Sequence, residues 1–170
     1  MGYAGGSTSA PTYHSIGDHS ETIEIDFLPE VVSYADLLAV FLRSHNPCRA
    51  AFRPQYRSAV FYRSGAQRSV ADASLQQAAR ERDQAIETAV EEHQGFTLAE
   101  DYHQKYLLCR EAPVLAEFLA IYPESDRFLH STAVTRANAF CGGHGAELVD
   151  SDLPRMGLSE SSQARLRAAL

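Results

Sequence analysis

Polar and apolar residues alternate from Glu21 to Phe27. Glu21, Ile23, Ile25 and Phe27 share one face and Thr22, Glu24 and Asp26 the other, the period-two pattern of a half-buried strand. The apolar face is the one turned to the core, so the strand opens with a carboxylate on its buried side, and Pro29 ends it. The period then changes. Ser33 stands as an N-cap with Asp36 three residues on, in capping-box spacing. Tyr34, Leu37, Leu38, Phe41 and Leu42 follow at i, i+3, i+4, i+7 and i+8, an amphipathic helix that must stop before Asn46-Pro47. Residues 46–55 (NPCRAAFRPQ) read as a basic loop bounded by prolines, and 56–62 (YRSAVFY) as a second strand. A long helix is predicted over 70–90, with Leu75, Ala78, Ala79 and Ile86 as its buried stripe. Helices are also predicted over 99–109 and 114–122, on either side of Pro113, and over 132–140 until Gly142-Gly143 stops it. A last one starts near Ser159. Strands alternating with long helices predict an α/β (α+β) two-layer sandwich, helices over a small mixed sheet. The expected organisation is one domain over 1–150 and a helical tail over 151–170.

Composition narrows the partners. A net charge of −7 argues against nucleic acid or an anionic membrane as the main partner. No stretch approaches the roughly 18–20 apolar residues of a membrane span. The first residues have neither the basic run nor the apolar run of a signal peptide. A cytoplasmic monomer is therefore expected, with organellar targeting left open if further sequence precedes Met1. Cys48, Cys109 and Cys141 form neither a disulfide framework nor a zinc knuckle, and the plain reading of each is a free, half-buried thiol.

Several polar residues are candidates for chemistry. Glu21, on the core-facing side of its strand, is desolvated there and a plausible proton donor; the competing reading is a carboxylate satisfied by backbone amides. His19 and Glu21 lie two apart and could share a metal, but no second pair stands at ligand spacing, so no metal site is expected. Ser58 with His103 is conceivable as a hydrolase pair, yet no Gly-x-Ser-x-Gly elbow accompanies it. Tyr13, in a Pro-Thr-Tyr turn, and Tyr56, where the second strand begins, stand at element ends where hydroxyls can reach a cleft; the alternative is a buried ring with its hydroxyl at the edge.

Seven stretches in order complete the picture: GYAGG (2–6), PTY (11–13), DHSE (18–21), SYADLLAVFLRSHNP (33–47), QYRSAVF (55–61), AEDYHQKYL (99–107) and NAFCGGHG (138–145). Together they resemble the A-type peptide methionine sulfoxide reductases. The resemblance implies a ferredoxin-like core and thiol-dependent reduction of methionine S-sulfoxide, free or in oxidised proteins, to methionine: a protein-repair reaction of oxidative stress. It implies no bound cofactor, and thioredoxin as the external reductant. In the family a cysteine thiolate attacks the sulfoxide sulfur while a glutamic acid and two tyrosine hydroxyls hold and protonate its oxygen; a resolving cysteine then captures the sulfenic acid as a disulfide. By motif position, Glu21 is the proton donor and Tyr13 and Tyr56 the two tyrosines. Cys141 falls where some branches carry the resolving cysteine, with a passive thiol as the alternative.

The chain also departs from the family. The nucleophile lies in a Gly-Cys-Phe-Trp-Gly motif upstream of GYAGG; residues 1–170 contain no such motif and no tryptophan. The 46–54 loop is short and lacks the aspartate found before the Gln-Tyr-Arg-Ser strand. Two expectations compete. In one, the chain is an amino-truncated form of an active reductase, lacking a first strand and helix and inactive alone. In the other, it is a non-catalytic protein that binds methionine sulfoxide or regulates. Catalysis through Cys48, with Arg49 and Arg53 beside it, is a third and weaker reading.

Overall fold

The structure is a computed structural model that describes all of residues 1–170. It is a mixed α/β fold with small sheets, as the patterning predicts. The chain forms two compact units, Met1–Glu100 and Asp101–Leu170.

The N-terminal unit holds every strand. Strand β1 (Gly2–Ala4) is flanked antiparallel by β2 (Ser20–Thr22) and β5 (Phe96–Leu98), in the order β2-β1-β5. A second sheet pairs β3 (Ala59–Tyr62) parallel with β4 (Ala89–Glu92), in register Val60 to Val90. Helix α1 (Tyr34–Ser44) begins with the capping box the sequence announces: the Ser33 hydroxyl accepts from the Asp36 N–H at 3.1 Å and the Asp36 carboxylate accepts from the Ser33 N–H at 3.2 Å. Helix α2 (Gly65–Arg82) carries the chain from β3 to β4, a crossover that parallel pairing requires. Leu38, Val60 and Ala71 form the small core between α1, β3 and α2, with Tyr34, Phe41, Val70 and Val90 packed on it.

Three expectations need correction here. The helix predicted over 70–90 ends at Arg82, because Asp83 turns left-handed (φ 49°) and its N–H closes onto the Ala79 and Arg80 carbonyls. Ala89 and Val90, whose side chains also suit a helix stripe, pair with β3 instead. The strand predicted over 21–27 is regular only over 20–22, since β1 is three residues long and nothing pairs the rest. Ile23 and Ile25, read as core-facing, are 69% and 51% exposed.

The C-terminal unit is helical: α3 (Ala112–Ile121), α4 (Ser125–His130), α5 (Thr132–Phe140), α6 (Val149–Asp152) and α7 (Glu160–Ala168). The helix predicted over 99–109 is two short 3-10 turns, 101–103 and 108–110. Residues 151–170 pack on the helices before them. Leu153, Leu158 and Leu166 share one core with Val114, Phe118 and Phe140. Glu117 of α3 also accepts from the Ser159 N–H at 2.7 Å and the Ser162 hydroxyl at 2.7 Å, tying down the start of α7. No helix is long and apolar enough to cross a membrane.

The glycines after β1 are imposed by neighbours. Gly5 has φ +75°, and a Cβ there would meet the Phe61 ring at 2.5 Å; one at Gly6 would meet the His19 nitrogen at 2.6 Å. Gly5→Ala therefore combines a left-handed backbone, costing about 1–2 kcal/mol, with overpacking worth about 1–3 kcal/mol. Gly65→Ala, with nothing within 4 Å of the new Cβ, is the control. Urea unfolding should show a lowered midpoint for the first and an unchanged or raised one for the second.

Candidate functional site

A cavity of about 670 Å³ opens in the N-terminal unit between β2 with the segment after it, helix α1 and β3. Its walls are largely apolar, from Ile23, Ile25, Phe27, Leu37, Phe41 and Phe61, and Glu21, Tyr56 and Arg57 also line it. Glu21 follows Ser20 on β2, opposite Tyr3 of β1. Its Oε1 is shielded from solvent and has no hydrogen-bond partner. A buried oxygen left unbonded is costly, and here it belongs to a group that can donate when protonated. Tyr56 closes a 3-10 turn, Pro54–Tyr56, with its N–H on the Arg53 carbonyl and its ring 5.2 Å from Phe52. The ring is 43% exposed.

Tyr13 is held in another way. Its N–H donates to Glu100 Oε1 at 3.0 Å, while the Tyr3 hydroxyl donates to Glu100 Oε2 at 2.7 Å. Glu100 thus pins the Tyr13 turn to β1, although Tyr13 is not among the residues lining the cavity. The geometry brings Glu21 and Tyr56 into one cavity and leaves Tyr13 41% exposed outside it.

The rest of the loop is fixed by Asp18 and His19. Asp18 accepts from the N–H and hydroxyl groups of both Ser7 and Thr8, and these bonds hold its carboxyl well below the usual carboxylate range. Because the Gly6 N–H points at His19 Nδ1 (3.3 Å), the ring proton lies on Nε2, which donates to the Thr8 carbonyl at 2.8 Å. With both nitrogens taken by backbone, His19 serves the loop. No group of three or more His, Cys, Asp or Glu side chains is placed to hold a metal ion.

Ser58 does have a histidine, but it is His45. Nδ1 of His45 donates to the Phe41 carbonyl at 2.8 Å, leaving Nε2 to accept from the Ser58 hydroxyl at 2.7 Å; Ser58 in turn lies 2.7 Å from the Thr88 hydroxyl. This chain of bonds locks the end of α1 to the residue before β3. Arg57 spans the two sheets: Nε donates to Ser20 Oγ at 2.8 Å, and Nη1 and Nη2 to the two oxygens of Glu91 on β4, the latter at 2.7 Å. That pairing raises the arginine and lowers the Glu91 carboxyl from their ordinary values. Sequence reasoning singled out none of Arg57, Glu91, His45 or Glu100. Arg57, His45 and Glu100 lie inside quoted motifs, but their partners are distant in the chain.

The cysteines are free thiols. Cys48 is half-buried, with its N–H on the Asn46 side chain at 3.1 Å, and does not line the cavity. Cys141 caps α5 and packs against the core of the C-terminal unit. Burial, with Glu111 nearby, pushes its thiol up to about 11.

The N-terminal unit thus sets a carboxyl oxygen with no hydrogen-bond partner against a largely apolar cavity. Comparison with known proteins gives the family. The profile of the family described as peptide methionine sulfoxide reductase matches residues 1–136. A peptide methionine sulfoxide reductase of Drosophila melanogaster is 35% identical over 167 residues, 96% of this chain and 66% of that protein. One of Erwinia tasmaniensis is 41% identical over 114 residues, 62% of this chain and 64% of its own. One of rice, Oryza sativa subsp. japonica, is 35% identical over 147 residues, 82% and 57% respectively. The chain belongs to the peptide methionine sulfoxide reductase family. It spans about two thirds or less of the length of these relatives.

The half-buried Cys141 thiol carries a test. Its raised value favours the thiol, so its contribution to stability is complete below the ordinary thiol value and is lost as pH rises through about 11. In a Cys48→Ser/Cys109→Ser background, the iodoacetamide reaction rate of Cys141 should rise with a midpoint near 11. A midpoint at the ordinary value of about 8.5 would mean the thiol is not buried as described.

Proposed function

We propose that this chain carries the oxygen-binding half of a methionine S-sulfoxide reductase site. The carrying observation is Glu21 Oε1, shielded from solvent and unbonded beside an apolar cavity. A sulfoxide presents one strongly accepting oxygen on a sulfur flanked by apolar carbons. A protonated Glu21 donates to that oxygen, the Tyr56 hydroxyl approaches from the same cavity, and Phe27, Phe41 and Phe61 give the methyl and side-chain carbons an apolar wall. Tyr13 is assigned as the second hydroxyl donor by motif position, which requires its turn to move toward the cavity when ligand binds. The substrates are oxidised methionine in proteins or the free amino acid.

In the reaction a thiolate attacks the sulfoxide sulfur, the sulfur–oxygen bond passes its oxygen to the thiol as a sulfenic acid, and Glu21 supplies the proton taken up as the oxygen leaves. A second thiol condenses with the sulfenic acid to a disulfide and water, and thioredoxin reduces the disulfide. Cys141 is the candidate for that second thiol; it stands at a helix end before Gly142 and Gly143, the latter at φ +75°, where a local opening would free its half-buried side chain. Residues 1–170 supply no attacking thiol at the cavity. Cys48 does not line it, which weighs against a relocated nucleophile there.

On this reading, the 170-residue chain alone binds methionine S-sulfoxide and does not reduce it. Calorimetric titration with an acetylated, amidated methionine S-sulfoxide peptide should show binding. Glu21→Leu should weaken that binding about tenfold, about 1.4 kcal/mol for one lost donor. With thioredoxin and its reductase present, no methionine should form. Turnover by the purified chain would overturn the second half of the reading, and equal binding by Glu21→Leu the first. Binding with no turnover even when a thiol-bearing segment is supplied would instead favour a sulfoxide-binding or regulatory protein.

A further inference from the structure

Arginine is unevenly spread along this acidic chain. Between Asp36 and Asp72 stand six arginines and no aspartate or glutamate, although the whole chain has a net charge of −7. Three of the six find carboxylates: Arg57 takes Glu91, Arg63 takes Glu24 and Arg68 takes Asp72. Arg43, Arg49 and Arg53 are exposed and form no ion pair. Glu87, whose N–H donates to the Pro47 carbonyl at 2.8 Å, lies beside the same loop and pairs with none of them. Unmatched like charges on one short stretch repel each other and attract an anion. Their place in the unit gives that attraction a direction. Arg43 precedes Ser44 and His45, which line the Glu21 cavity at the end of α1. Arg53 precedes the Pro54–Tyr56 turn, and its carbonyl accepts the Tyr56 N–H at 3.1 Å. Tyr56 lines the cavity, and against it at 5.2 Å lies the ring of Phe52, 81% exposed. The cavity thus leads outward through Tyr56 to an exposed aromatic ring on a loop that carries Arg49 and Arg53.

We propose that the 46–54 loop selects the ligand by charge: Arg49 and Arg53 bind carboxylates that flank the oxidised methionine, so the site prefers methionine S-sulfoxide within an acidic stretch of polypeptide. The inference rests on the reading of Glu21 as the group that meets the sulfoxide oxygen. With the sulfoxide side chain in the cavity, the peptide backbone and the neighbouring side chains stay outside it. An extended peptide advances about 3.3 Å per residue. Residues one or two positions from the methionine therefore lie well within the Debye length of about 10 Å at 0.1 M salt. A guanidinium suits a carboxylate because its planar fork meets both oxygens, and the exposed Phe52 ring offers the peptide an apolar surface between the two arginines. A basic or neutral peptide gains nothing from this loop, and the free amino acid brings an ammonium group as well as a carboxylate.

Calorimetric titration of the whole chain tests this with two peptides that differ only in charge. One is acetyl-Ser-Glu-Met-Glu-Ser-amide with its methionine as the S-sulfoxide; the other carries Gln in place of both Glu. The acidic peptide should bind about fivefold tighter at about 20 mM salt, the scale of two exposed ion pairs. The ratio should fall to about one at about 1 M salt, where charges are screened within about 3 Å. Arg49→Gln with Arg53→Gln, both at exposed positions, should bring the ratio to about one at low salt. Arg110→Gln with Arg165→Gln, exposed arginines of the C-terminal unit that also lack ion pairs, should leave it near five. Equal binding of the two sulfoxide peptides would overturn the inference while leaving the Glu21 reading intact, and so would a preference that survives loss of Arg49 and Arg53. Failure of both peptides to bind would instead overturn the Glu21 reading and the inference with it. Equally tight binding of the acidic peptide with unoxidised methionine would also overturn both, since the loop would then act without the sulfoxide site.

Discussion

Arg57 holds the N-terminal unit together where backbone pairing does not. Its guanidinium is satisfied by a serine hydroxyl on β2 and, in a two-pronged pair, by the carboxylate of Glu91 on β4. The planar fork suits a carboxylate bound by both oxygens, and lysine would reproduce neither the fork nor the reach. Nη2 also lies 3.5 Å from the Gly5 carbonyl, and the guanidinium sits 5.6 Å from the Phe61 ring centre. Gly5 must lack a side chain because Phe61 and this arginine occupy the place where one would stand. Arg57 thus bridges the two sheets across the gap in which the cavity opens.

The position of Glu21 follows. Ser20, its neighbour on β2, is the residue Arg57 grips, so the same contact that bridges the sheets fixes where the carboxyl enters the cavity. The long loop between β1 and β2 is tightened by Asp18 on Ser7 and Thr8 and by His19 on Gly6 and Thr8. On the other wall, His45, Ser58 and Thr88 lock the entry to β3, close behind Tyr56. These polar contacts are local and individually modest. Their combined effect is to hold one carboxyl oxygen out of water without a partner, an arrangement that pays off only when a ligand acceptor arrives.

Local signals in the sequence were legible where the structure they describe is local. The Ser33–Asp36 cap and the apolar stripe of α1 need nothing beyond one helix, and both appear as predicted, as do α5 and the start of α7 near Ser159. Glu21 was legible for the same reason, as a carboxylate out of step with its apolar neighbours. The misreadings concern pairing. Ala89 and Val90 fit a helix stripe and became a strand because β3 offered an edge; Ile23 and Ile25 fit a strand face and stayed exposed because nothing offered one. β1 and β5, three residues each, are too short to show a period. Arg57–Glu91 and Tyr3–Glu100 join residues 34 and 97 positions apart, and no spacing rule reaches that far.

The central claim is that the Glu21 carboxyl is the group that meets a sulfoxide oxygen. It is tested most directly by carbon NMR of the Glu21 side-chain carboxyl, selectively labelled, during titration with the two diastereomers of methionine sulfoxide. The account predicts a saturable shift of that one resonance with the S-sulfoxide and little or none with the R-sulfoxide. An unmoved Glu21 resonance while the S-sulfoxide binds elsewhere, or equal shifts with both diastereomers, would contradict it.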